Sequence, residues 1–164
     1  MYVRVPRDRV AKLVGRGGKT RDYIAKACRC TIEIEGNDVS IEGEALDMLK
    51  AGEIVKAIAR GFSPKTAMDL ISDDTELAVV EMEGTPNTVK RLMGRVIGEH
   101  GRARRNIERA TGTQIAIKGK TIAIIGPYEA VRAAKKTVEM LLEGRSHAYA
   151  WKAMDKMMRA ARTI

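Results

Sequence analysis

Val10, Leu13 and Val14 fall three and four residues apart, the spacing of one helical face, and Pro6 separates them from a short apolar strand pattern over 2–5. The run Gly15-Arg16-Gly17-Gly18 breaks that helix, and a second is predicted from Lys19 to Ala27 with Tyr23, Ile24 and Ala27 inward. From 31 to 35 the period changes to two, because Ile32 and Ile34 alternate with Glu33 and Glu35 as in a half-buried strand. Gly36-Asn37 makes a turn, residues 39–41 form the returning strand, and Leu46, Leu49, Val55 and Ile58 predict a long amphipathic helix over 44–60 despite Gly52. The predicted order is β-α-α-β-β-α.

The same order then returns. Residues 10–61 and 93–144 align without a gap at a constant offset of 83 positions, and thirteen of the 52 pairs are identical, mostly glycines and aliphatics. Two copies of one α+β domain are therefore expected. The second copy is predicted as a strand over 77–83, a helix over 88–97, the break Gly98-Glu99-His100-Gly101, a helix over 102–110, strands over 114–118 and 121–125, and a helix over 127–143. A last helix over 146–162 is predicted to have no counterpart in the first copy. The expected organisation is a first domain at 1–62, an acidic helical connector at 63–76, a second domain at 77–144, and a C-terminal helix at 145–164.

Charge separates the two copies. The chain of 164 residues carries a net charge of +9, made of +3 over residues 1–62, −5 over 63–85 and +11 over 86–164. Such an excess suits nucleic acid, an acidic protein or an anionic membrane surface, and does not choose among them. Aromatic content of 4% argues against a surface-aromatic stacking platform. No apolar run is long enough for a membrane span and the N-terminal stretch lacks a signal-peptide core, so a cytoplasmic protein without membrane contact is expected. Cys28 and Cys30 are too close for an easy mutual disulfide and too few for a cysteine-based zinc site.

The glycine breaks carry the chemistry. A helix N-terminus presents unsatisfied N–H groups and a positive dipole end, and glycine lets a sugar-phosphate backbone approach without a Cβ in the way. Lys19 and Arg21 in the first copy, and Arg102, Arg104 and Arg105 in the second, follow within the first helical turn and can pair with phosphates. The loops differ: Gly15-Arg16-Gly17-Gly18 adds a cation, whereas Glu99 opposes an incoming anion, an effect of about 0.5–1 kcal/mol under screening. The strand residues reverse that balance, since Glu33 and Glu35 correspond to Ala116 and Lys118.

An aliphatic pair, a G-x-x-G loop between two helices and an isoleucine six residues beyond the second glycine, as in LVGRGGKTRDYI and VIGEHGRARRNI, resemble the KH (K-homology) domain in its type I arrangement. The tandem, with its more basic second copy and a trailing helix that begins GRSH, is similar to the small-subunit ribosome-assembly KH proteins of archaea and eukaryotes, the family that includes Partner of Nob One. That resemblance implies a groove for about four unpaired nucleotides. Its walls would be Val10, Leu13, Val14, Ile24 and Ile32, matched by Met93, Val96, Ile97, Ile107 and Ile115, with Lys118 at its rim. It also implies single-stranded small-subunit rRNA near its 3′ end as ligand and a Nob-type endonuclease among the partners.

Other motifs lead elsewhere only weakly. Gly-Lys-Thr at 18–20 ends like a phosphate-binding P-loop, but Leu13 stands where the first glycine of that motif is required and a helix, not a strand, precedes it. His100 and His147 stand without clustered partners, so no catalytic residue, metal site or cofactor is expected. Trp151, Met154, Met158 and Ala161 line one side of the last helix, with Met157 beside them, and serve either to pack on their own chain or to dock a protein. Three functions stay open: an RNA-binding assembly factor, a protein-docking adaptor, and a single-stranded DNA-binding regulator.

Overall fold

The protein is described by a computed structural model covering residues 1–163. It divides into two compact units, the first spanning Met1–Asp73 and the second starting at Asp74. The first contains β1 (Tyr2–Arg4), α1 (Arg7–Val14), α2 (Lys19–Cys28), β2 (Thr31–Glu35), β3 (Asp38–Glu42), α3 (Ala45–Ala59) and the short α4 (Pro64–Ala67). The second contains β4 (Thr75–Glu81), α5 (Pro86–Ile97), α6 (Arg102–Thr111), β5 (Gln114–Lys118), β6 (Thr121–Pro127), α7 (Tyr128–Leu142) and α8 (His147–Arg162). Both units thus have the predicted β-α-α-β-β-α order.

Each unit has one antiparallel sheet, ordered β1-β3-β2 and β4-β6-β5. The last strand of each copy is central, with Ile32 opposite Ile41 in the first sheet and Ile115 opposite Ile124 in the second. One sheet face is sealed by helices, so Val39, Ile41, Ile122 and Ile124 have no solvent exposure. β2 and β5 each keep one edge unpaired by strand, and that edge faces the glycine loops' second helices.

The long helix α3 forms for a different reason from the one its leucines suggest. Leu46 and Leu49 are 80% and 55% exposed, and the buried side is Ala51, Gly52, Ile54, Val55, Ala57 and Ile58. Leu46 and Leu49 correspond at the offset of 83 to Glu129 and Arg132, which are also exposed, so these positions face water in both copies. Tyr23 and Ala27, predicted inward, likewise lie on the exposed side of α2. α5 starts two residues earlier than predicted because Thr85 caps it, its hydroxyl accepting from the Thr88 N–H at 3.2 Å, with Pro86 in the first turn.

The trailing helix does have a counterpart. Ser63 and Ser146 stand 83 apart and both cap a helix, accepting from the N–H of Thr66 and of Tyr149. Ala67 and Ala150, again 83 apart, are both fully buried. The repeat therefore continues past the predicted domain end, and α4 is the four-residue equivalent of the sixteen-residue α8. α8 packs on α7 through Ala150 and Met154, both sealed from solvent, so the Trp151–Met158 stripe is turned toward its own chain.

An arginine clasp closes each unit. Arg9 Nε donates to the carbonyl of Ile58 at 2.8 Å and its Nη2 to that of Phe62 at 2.7 Å. In the second unit Arg95 Nε donates to the Leu141 carbonyl at 2.8 Å, and Nη2 to the Arg145 carbonyl. The acceptors are equivalent at the offset of 83, Ile58 with Leu141 and Phe62 with Arg145, in and just past the last turns of α3 and α7, although the arginines come from different turns of α1 and α5; the Ile58 and Leu141 carbonyls also accept the Gly61 and Gly144 N–H. Replacing Arg95 by Ala removes both bonds, although the Leu141 carbonyl keeps the Gly144 N–H, and is expected to lower stability by about 1–2 kcal/mol. Urea unfolding followed by the emission of Trp151, the single tryptophan, measures that loss in the second unit, and an unchanged midpoint would refute it.

Candidate nucleic-acid interface

The two glycine loops have the same backbone. Gly15 and Gly98 sit at φ 73 with ψ near 180, a conformation open essentially to glycine alone, and a Cβ there would lie 2.2 Å from Thr20 Oγ1 or 2.6 Å from Ala103 Cβ. Gly18 and Gly101 are left-handed at φ 78 and 75 and serve as the N-caps of α2 and α6. Between them Gly17 takes φ 61 and its equivalent His100 takes φ 55. Neither α2 nor α6 has a side-chain cap, nor do α1, α3 and α7, whereas α4, α5 and α8 are capped by Ser63, Thr85 and Ser146; what sets α2 and α6 apart is that each starts on a glycine. The first-turn donors at the two loops are thus left for an outside acceptor.

The side chains around the loops divide into distinct sets. Arg16, Gly17, Glu99 and His100 are exposed at the tips. His100 Nε2 lies 3.6 Å from Glu99 Oε1, with both side chains at least 74% exposed, so the carboxylate is only weakly offset. Arg16, Lys19, Arg102 and Arg105 make no ion pair among the described residues. Arg21 bends back toward Gly18, where a Cβ would meet its Nη2 at 2.7 Å, and its Nε donates to Asp22 at 3.2 Å.

Sequence reasoning grouped Arg102, Arg104 and Arg105 together, but α6 spreads them over two stripes. Arg104 lies with Glu108, whose Oε1 is 3.8 Å from its Nε while Oε2 accepts the Ile115 N–H at 3.0 Å from the edge of β5. That Nε is buried and has no hydrogen-bond acceptor. Arg104 therefore stands beside the strand edge that the groove would use. Arg102 and Arg105 point to the other flank, toward α8.

The expected groove walls are corrected by burial. Leu13, Ile24, Val96 and Ile107 have no exposed surface, and Ile32 and Ile115 keep only 6% and 5%. These residues brace the groove from beneath rather than line it. Val10, Val14, Met93 and Ile97, together with Lys118 at the rim, are the half-buried members that a ligand can reach. A signal was present, since the isoleucine six positions past each loop lies on the same helical face as Cys28 and Thr111, and all four are buried.

The remaining chemistry-bearing groups are quiet. Burial and the nearby Cys30 push the Cys28 thiol up, and burial with Asp47 does the same for Cys30, so both stay protonated near neutrality. Among the described residues no three His, Cys, Asp or Glu side chains converge as a metal site. No helix among the described residues is long and apolar enough to cross a membrane.

A G-x-x-G corner between two helices, set against a three-stranded sheet with the last strand central and present twice, defines a tandem KH-domain protein. Residues 75–159 match the eukaryotic-type KH domain (type I) family profile for the second domain of PNO1, and residues 1–57 match the general KH domain. Over 94% of its length the chain is 40% identical to a KH domain-containing protein of Methanocaldococcus jannaschii, of which it spans 72%. It is 28% identical to the pre-rRNA-processing protein PNO1 of Chaetomium thermophilum over 69% of this chain, spanning 45% of that protein. A crystal structure of an a/eIF2α–aDim2p–rRNA complex from Pyrococcus horikoshii matches with a TM-score of 0.88 at 32% identity, covering 98% of this chain and 94% of that one. The chain belongs to the PNO1/Dim2 family of KH-domain proteins.

The loop geometry makes a graded prediction. Gly98→Ala forces a Cβ into Ala103 at an unfavourable φ/ψ and is expected to cost about 2–3 kcal/mol. Gly17→Ala meets nothing within 4 Å and carries only the left-handed penalty, about 1 kcal/mol. Urea unfolding by far-UV circular dichroism should rank them in that order; equal losses would contradict it.

Proposed function

We propose that this protein binds single-stranded RNA as a small-subunit ribosome-assembly factor, gripping the sugar-phosphate backbone at both glycine loops and assisting maturation of the rRNA 3′ end. The observation that carries this reading is the pair of α-helix N-termini left without side-chain caps, each opened by a glycine corner and flanked by cations without carboxylate partners. Relatives named for pre-rRNA processing, and the neighbouring structure named for an rRNA complex, support the choice of RNA over DNA. A Nob-type endonuclease is the partner this reading implies, and the cytoplasm its place of action.

The second copy supplies more of the electrostatic attraction. Glu33 and Glu35 are exposed on β2 beside the first loop, whereas Ala116 and Lys118 hold those positions on β5. Anisotropy of labelled single-stranded RNA, matched DNA and duplex RNA across salt should show preference for unpaired RNA and a steep salt slope. Changing Arg16 and Gly17 together to Asp, and separately Glu99 and His100 together to Asp, should cause a large loss of binding in one or both variants. Wild-type affinity in both variants would sink the groove mechanism and favour a protein-docking adaptor.

A further inference from the structure

On the flank of α6 away from β5 lies an open cleft of about 760 Å³, within the range of small-ligand sites. It starts at Gly98 and Glu99 of the loop, runs along Arg102, Arg105 and Arg109, and is walled by His147 and Trp151 of α8. We propose that this cleft is a second nucleotide site: phosphates of a strand continuing past the glycine loop pair with the three arginines while one base lies on Trp151. The inference rests on the reading that the chain binds single-stranded RNA.

Spacing is the first support. Positions 102, 105 and 109 share one helical stripe, with roots about 4.5 and 6 Å apart along the axis, close to the step between phosphates of an extended strand. None of the three guanidinium groups has an ion-pair partner among the described residues, although like charges three and four apart disfavour the isolated helix. An anion relieves that repulsion, and guanidinium pairs with phosphate in two-pronged fashion.

The aromatic wall is the second support. His147 Nε2 donates to the Arg95 carbonyl at 2.9 Å, and that same Arg95 holds the C-terminus of α7 through its side chain. The imidazole is thereby fixed, with its ring 5.6 Å from that of Trp151 and tilted by 58°. Trp151 is half-buried against the core, so one part of the indole is anchored and another remains at the cleft, the arrangement of a stacking surface. The one tryptophan of an aromatic-poor chain thus stands beside its densest arginine stripe.

The repeat gives independent support. In the first unit a smaller cleft of about 450 Å³ is lined by Lys19, Thr20, Tyr23, Pro64, Lys65 and Met68. Lys19, Thr20, Tyr23, Pro64 and Met68 are the equivalents, at the offset of 83, of Arg102, Ala103, Asn106, His147 and Trp151. Both clefts combine cations with a ring, exposed Tyr23 from α2 in one copy and half-buried Trp151 from α8 in the other. The same chemistry assembled from different positions points to a shared ligand rather than to a packing residue carried along. An acidic peptide would satisfy the arginines but has no planar group for the indole, so RNA is favoured.

Trp151 reports on its own site. With the full chain, single-stranded RNA of about eight nucleotides should bind about tenfold tighter than one of about four and should quench Trp151, whereas the shorter one, filling the groove alone, should not. Arg109→Glu, a change at an exposed position, should erase both the tenfold gain and the quenching while the shorter RNA binds as before; Trp151→Ala should erase the gain in anisotropy. Octamer binding with unaltered Trp151 emission, or with full affinity in Arg109→Glu, overturns the site and leaves the groove reading intact. Failure of both RNAs to bind overturns both readings. Quenching by a polyglutamate peptide at the octamer's affinity reassigns the cleft to an acidic protein segment.

Discussion

The left-handed corner between α1 and α2, and between α5 and α6, is the constraint from which the rest follows. Three of its four residues take positive φ, and Gly15 and Gly98 combine that with a ψ near 180 that is closed to side chains. The corner does two things at once. It stops the first helix sharply enough for the second to start after only four residues, and it starts that second helix on a glycine, which has no side chain to cap it. Ser63, Thr85 and Ser146 cap α4, α5 and α8, while α1, α3 and α7 start on Pro6, Glu44 and Pro127 without a side-chain cap. The exposed donors at the loops are thus a consequence of the fold's geometry, not an addition to it.

His100 shows how firmly the corner is imposed. A β-carbon at φ 55 costs about 1 kcal/mol relative to glycine, and Gly17 shows that glycine satisfies the same backbone in the other copy. The second loop keeps a side chain there nonetheless, because the surrounding turn is over-determined by Gly98, Gly101 and the packing of Ala103. Sequence alone marked these glycines and their spacing, and with them the element order and the duplication, because each demands a residue type that little else can replace.

What the sequence hid were the positions where residue type and environment part. Leu46 and Leu49 match a helical period yet face water, since α3 buries its other side through Ala51, Gly52 and Ala57, small residues that allow close approach and carry little hydrophobic signal. The repeat held the correction, because Glu129 and Arg132 occupy the equivalent surface. Ile24 and Ile107 looked like groove walls because they follow the loops, but six residues past the glycine is the inward side of the helix. The arginine clasp was invisible for a different reason: Arg9 and Arg95 do not align, and only the carbonyls they reach do. The same pair of carbonyls is reached twice from different helical turns, which no positional comparison can show.

The division of α6 into two stripes also changes the meaning of the charge. An excess of +11 after residue 85 could be an even cationic coat, but Arg104 is drawn toward Glu108 and the β5 edge while Arg102, Arg105 and Arg109 gather on the α8 flank. The helix thereby separates a partly neutralised arginine beside the groove from three uncompensated ones beyond it. α8 gives the second flank its wall, and α4, four residues long, offers the first copy only Pro64 and Lys65 there, with Met68 just beyond it. The longer helix α8 thus walls the flank of α6 where Arg102, Arg105 and Arg109 gather, a wall that the four-residue α4 gives the first copy only in part.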